Sequence, residues 1–105
     1  MTIPHIHNIS EEQINNLQKN SFVVIDVRTI EEYEDGHIDS ALHIPVDNIV
    51  DNLDKISQDK IILLYCRSGT RSQHATEYLK NNNYQAFNIG SFFHLTDNII
   101  KKLNG

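Results

Sequence analysis

Only one of the 105 residues is a cysteine, Cys66. An intramolecular disulfide is therefore excluded, and so is a cysteine-rich zinc site. Sulfur or redox chemistry at Cys66 would have to be completed by an outside thiol or nucleophile. Basic residues are also scarce: nine Lys and Arg stand against 14 Asp and Glu, for a net charge of −5. Nothing is basic enough to offset phosphate repulsion, so no nucleic-acid partner is expected. Long apolar runs are missing too. The longest, Ile61 to Tyr65, falls far short of the roughly 20 residues that span a bilayer, so no membrane partner is expected. The start of the chain, Met1-Thr2-Ile3-Pro4-His5, lacks a basic segment followed by an apolar stretch, so no secretion signal is read and a cytoplasmic location is expected. There is no internal repeat, low-complexity linker or visible domain boundary, and the length fits one domain over 1–105.

What remains is an alternation of short apolar runs and helical patterns. Ser10-Glu11-Glu12-Gln13 and Thr29-Ile30-Glu31-Glu32 read as capping boxes. Phe22-Val23-Val24-Ile25 reads as a buried strand ending at Asp26, and Ile61 to Tyr65 as a stronger one running into Cys66. Ala41 to Ile44 and Gln85 to Ile89 are further strand candidates. Helical spacing marks Val46, Ile49, Val50 and Leu53, then Ala75, Tyr78 and Leu79, then Leu95, Ile99, Ile100 and Leu103. Strands that are apolar on both faces, alternating with helices, imply an α/β fold with a mostly parallel sheet covered on both sides. Ligands bind such sheets beyond the carboxyl ends of the strands. Asp26 and Cys66 each end a buried strand, so both are expected on one rim.

A lone cysteine at a strand end is commonly just a small buried hydrophobe. The segment Cys66-Arg67-Ser68-Gly69-Thr70-Arg71-Ser72 argues for more. A short loop with one glycine, followed by a helix starting near Arg71 or Ser72, turns backbone N–H groups inward as an anion-binding nest. The helix N-terminus adds partial positive charge there, and two arginines add more. Such settings favour thiolate over thiol and expose a nucleophile near neutral pH without a histidine base. Arg67 is placed to bind an anionic donor through its planar fork, and Arg71 to bind substrate or brace the loop. Asp26 and Arg28 are expected to form a network on the rim that positions the loop. The histidines show no metal-ligand spacing, and no metal or cofactor is expected.

The segment from Cys66 to Ser72 resembles the active-site loop of rhodanese-like sulfurtransferases. Ile25-Asp26-Val27-Arg28, Glu32-Tyr33, Gly36-His37-Ile38, Ala41-Leu42-His43-Ile44-Pro45 and Tyr65-Cys66-Arg67-Ser68-Gly69 follow the order of a single-domain member, over about Ile9 to Gly90. The resemblance implies a sheet of about five strands with helices on both faces. It implies a Cys66 persulfide, with Arg67, Ser68, Gly69, Thr70 and Arg71 around the substrate and Asp26, Arg28 and Ser72 supporting the loop. It also implies a two-step reaction. Cys66 takes sulfane sulfur from a small anionic donor such as thiosulfate, and cyanide or a thiol then removes it. The alternatives are a carrier relaying sulfur between partner proteins and a non-catalytic binding domain, the latter disfavoured by the presence of Cys66. Protein tyrosine phosphatases need a loop one residue longer, to surround a phosphoryl group. Family members often carry a Gly-Gly segment and a tryptophan after the last strand. Here Gly90-Ser91-Phe92-Phe93 stands instead, with Phe92 or Phe93 expected to fill that space.

Overall fold

The structure is a computed structural model that describes residues 9–105. Both capping boxes form as read. Ser10 and Gln13 cap α1 (Glu11–Asn15), and Thr29 and Glu32 cap α2 (Ile30–Glu34). Between them lies β1 (Phe22–Asp26), and after α2 comes the two-residue β2 (Leu42–His43), which stops just before Pro45. The apolar run at Ile61 becomes β3 (Ile61–Cys66), followed by α3 (Thr70–Asn81), β4 (Gln85–Ser91) and α4 (Asp97–Asn104). No helix among the described residues is long and apolar enough to cross a membrane.

All strand pairs are parallel, in the order β2-β1-β3-β4. The family resemblance implied about five strands; four pair among the described residues. Past β4 the chain leaves the sheet at once, through a 3-10 turn at Phe92–His94 into α4. Two other details differ from the sequence reading. The stretch Val46 to Leu53 forms two 3-10 segments, Val46–Asn48 and Val50–Lys55, kinked at Asn52. Apolar residues three apart suit a 3-10 turn as well as an α-helix, so their spacing could not separate the two. The helix after the loop begins at Thr70, one or two residues before the expected start at Arg71 or Ser72.

Period-two alternation divides the core. Ile62, Leu64 and Cys66 face α3 and pack with its Ala75 and Leu79 and with Ala86 of β4. Leu63 and Tyr65 face the other way, toward Ile14 of α1 and Ile99 and Leu103 of α4. Helices therefore cover both faces, and each fully buried Leu or Ile side chain contributes about 1.5–3 kcal/mol of burial free energy.

The rim is set by register. Asp26 is paired with Tyr65, so the ends of β1 and β3 lie side by side at the carboxyl edge. A β-bulge between Leu64 and Tyr65 lets β4 place Asn88 opposite Leu64 and Gly90 opposite Tyr65.

Candidate active site

Cys66 sits at the last position of β3, on the α3 side of the sheet. Its side chain is 0% exposed. The sequence reading expected an exposed sulfur, and that part fails. The loop closes so tightly on the atom that its own amides occupy the space water would take. The inward direction of those amides is as expected. The Gly69 N–H donates to Sγ at 3.0 Å, the Ser72 N–H at 3.4 Å, and the Ser72 hydroxyl oxygen lies 3.3 Å away. Helix α3 has no side-chain cap in the usual sense, since its N-cap is Gly69. The cysteine sulfur takes that place and accepts from amides that a helix start leaves unpaired. Burial opposes ionisation of the thiol. Hydrogen bonds from the Ser72 hydroxyl and from the amides of Ser72, Gly69 and Ser68 outweigh it and hold Cys66 below the ordinary thiol range.

Gly69 makes the turn possible. Its φ of 97° lies in the left-handed region, which costs any residue with a Cβ. Space is not the constraint: an added Cβ would meet Gly90 Cα at 3.6 Å, an ordinary contact.

Asn88 fastens the loop from beneath, and the sequence reading missed it. Its side-chain oxygen accepts from the Gly90 N–H at 2.9 Å and competes with Cys66 Sγ for the single proton of the Ser72 hydroxyl, 2.7 Å away. Its amide nitrogen donates to the Gly69 carbonyl at 3.0 Å and to Gln73 Oε1 at 3.0 Å. The Gly90 N–H and the Gly69 carbonyl between them fix which way the amide points. Ser91 adds a hydroxyl bond to the Arg67 carbonyl. The signal available in the sequence was a polar residue inside an otherwise apolar strand, which needs a partner when buried.

The other predicted residues separate into two groups. Arg67, Ser68 and Thr70 are exposed on the outer side of the loop. Arg71 turns away to Glu32, with paired contacts of 2.7 and 3.0 Å. That pairing, chiefly the hydrogen bond from Arg71, pulls the Glu32 carboxyl down to about 2. The Asp26–Arg28 pair lies at the rim, but on the opposite face of the sheet from Cys66. Arg28 Nη2 donates to Asp26 Oδ2 at 2.7 Å and to the Gly36 carbonyl at 2.7 Å, and the Tyr65 hydroxyl donates to Asp26 Oδ2 at 2.8 Å. These bonds tie the rim to the chain after α2; the loop's own fastening comes from Asn88, Ser72 and Ser91. The Arg28 guanidinium also lies 4.6 Å from the centre of the Phe92 ring, which stacks on Tyr65. Phe92 thus closes an aromatic wall beside the site, while Phe93 is 67% exposed.

Arg28, Glu32, Asp35, Arg67, Phe92 and Phe93 line a cleft of about 400 Å³ next to the loop. A buried sulfur whose ionisation is favoured by amides at a helix start, with such a cleft nearby, can act as a nucleophile when the loop lets a substrate reach it.

Comparison with known proteins agrees with this geometry. The chain resembles a rhodanese-like domain protein of Staphylococcus aureus in its solved structure, with a TM-score of 0.71 and 34% identity over 82% of this chain and 87% of that one. An E. coli rhodanese solved with anions gives a TM-score of 0.67 and 26% identity, covering 71% of this chain and 92% of that one. Among curated proteins, the tRNA uridine(34) hydroxylase of Erwinia tasmaniensis is 36% identical over 85 residues, 75% of this chain but 23% of that protein. The chain spans about a quarter of the length of the first curated relatives it matches. The family model for the rhodanese-like domain matches residues 10–95, most of the chain, and the chain belongs to that family.

Proposed function

We propose that this chain is a sulfurtransferase of the thiosulfate type that carries sulfane sulfur on Cys66. The observation that supports this reading best is the convergence of the Gly69 and Ser72 N–H groups on a single sulfur atom at the start of α3. In the first step the Cys66 thiolate attacks the outer sulfur of thiosulfate. The new bond joins the two sulfurs, the bond within thiosulfate breaks, and sulfite leaves with the electron pair. In the second step cyanide or a thiolate attacks the outer sulfur of the persulfide, and Cys66 departs again as thiolate. The amides that hold the thiolate lie where they can receive negative charge in both steps.

The buried sulfur sets a condition on this chemistry. Cys66 is fully buried, so the loop must open before a donor can reach the sulfur. Arg67 meets the anionic donor. Arg71 stays on Glu32 and braces the loop against α2.

Purified protein mixed with thiosulfate and cyanide should form thiocyanate well above the protein-free mixture. After thiosulfate alone, its intact mass should rise by one sulfur and return with reductant. The absence of both thiocyanate and the mass gain would overturn the proposal.

A further inference from the structure

The cleft beside the loop carries more charge than it leaves free. Four charged side chains line it: Arg28, Glu32, Asp35 and Arg67. Arg28 is committed to Asp26 and the Gly36 carbonyl. Both Glu32 oxygens are committed to Arg71, and one of them also to Thr29. Among the described residues, Asp35 and Arg67 are left as one anion and one cation with no ion-pair partner. Both are exposed, and the apolar part of the lining is aromatic, with Phe92 and Phe93 packed edge to face at 5.5 Å.

The size of the cleft points the same way. The cleft, about 400 Å³ and open to solvent, is larger than one small anion needs. Thiosulfate or cyanide would fill a small part of it. A small organic molecule also fits, and the volume lies within the usual range of ligand clefts.

We propose that the cleft is the binding site for an amino-acid-type thiol that accepts the sulfur, with its ammonium group at Asp35, its carboxylate at Arg67 and its apolar part against Phe92 and Phe93. This rests on the sulfur-transfer reading above and names the class of its acceptor. The incoming thiol loses its proton to solvent, and its thiolate attacks the outer sulfur of the Cys66 persulfide. A bond forms between acceptor sulfur and sulfane sulfur, the bond to Cys66 breaks, and Cys66 is released as thiolate. The product is the acceptor's hydropersulfide. Asp35 touches none of the reacting atoms, so it acts as a specificity residue. An anion at that position selects for the ammonium group and against acceptors that carry only a carboxylate.

The test compares four acceptors of similar size, with thiosulfate as donor and sulfite release as readout: cysteine, cysteamine, mercaptoethanol and mercaptopropionate. Cysteine is expected to give the highest kcat/KM and mercaptopropionate less. In Asp35→Asn the ratio of cysteine to mercaptopropionate should fall about fivefold, the reach of a rim ion pair. Asp35→Glu should restore most of it, and added salt should shrink it in the wild type. Equal kcat/KM for all four acceptors, or an unchanged ratio in Asp35→Asn, would overturn the proposal. If no acceptor releases sulfite above the Cys66→Ser background, the sulfur-transfer reading itself fails. The cleft is then judged by calorimetric binding of S-methylcysteine, which should weaken about fivefold in Asp35→Asn. Equal binding by the two proteins would end the proposal.

Discussion

Cys66→Ser should abolish sulfur transfer, with the rate of thiocyanate formation falling roughly 10³-fold or more. A serine hydroxyl fits the same space and can accept from the same Gly69 and Ser72 amides, so the fold and the closed loop should survive. The chemistry does not. An alcohol is scarcely ionised near neutral pH, and its oxygen cannot form a persulfide that a thiol reduces. The variant separates two explanations of the geometry of the loop. If the amides were only capping α3, exchanging one acceptor atom for another would change little. Circular dichroism and thermal unfolding should therefore match the wild type, while transfer is lost. Retention of wild-type transfer by Cys66→Ser would remove Cys66 from the reaction.

The second large effect is on stability. Arg28→Ala should destabilise the protein by roughly 3–5 kcal/mol, a large share of the roughly 5–15 kcal/mol that holds a domain folded. Asp26 is 0% exposed and Arg28 2%. Burial works against the charge on Arg28, and the hydrogen bond and charge of Asp26 more than offset it, so its pKa stays raised. Truncating Arg28 leaves the Asp26 carboxylate in the interior with only the Tyr65 hydroxyl, at 2.8 Å, and the Arg28 backbone N–H, at 2.9 Å. It also removes the cation beneath Phe92 and frees the Gly36 carbonyl. The melting temperature should drop by more than about 10 °C. Replacing both partners, as Asp26→Leu with Arg28→Met, should cost less than Arg28→Ala alone, because no unpaired charge then stays buried. A loss below about 1 kcal/mol in Arg28→Ala, or a double variant worse than the single one, would show that the pair is not held as described.

Most of this fold is legible because its strands are buried on both faces. Ile61 to Tyr65 and Phe22 to Ile25 contain no polar residue, and each ends on a residue that chemistry can use. The parallel sheet, the shared rim and the two capping boxes follow from that pattern. The loop is legible for a similar local reason: a cysteine, a glycine three residues later and a helix start lie within one short segment. Asn88 is not legible in that way. Its register opposite Leu64 places it on the α3 face of the sheet, but Ser72 and Gly69 lie 16 and 19 positions away, and nothing local in the sequence pairs them with it. The partner of Arg71 is hidden for the same reason, since Glu32 lies 39 positions away. The depth of the sulfur is not legible, because inward-facing amides fit an open nest and a closed one alike. In this protein the nest closes on the atom it holds.

The pH dependence follows from the same contacts. The folded-state pKa of Cys66 lies below the ordinary thiol value. Its contribution to stability is therefore fully present above the unfolded pKa, near about 8.5, and is lost as pH falls through the folded pKa. Ultraviolet thiolate absorbance, titrated in the wild type against Cys66→Ser, reads this ionisation without any reagent having to enter the closed loop. The midpoint should fall below about 8.5. A midpoint at or above that value would mean that burial outweighs the amides, and that Cys66 is held as an ordinary thiol in the core.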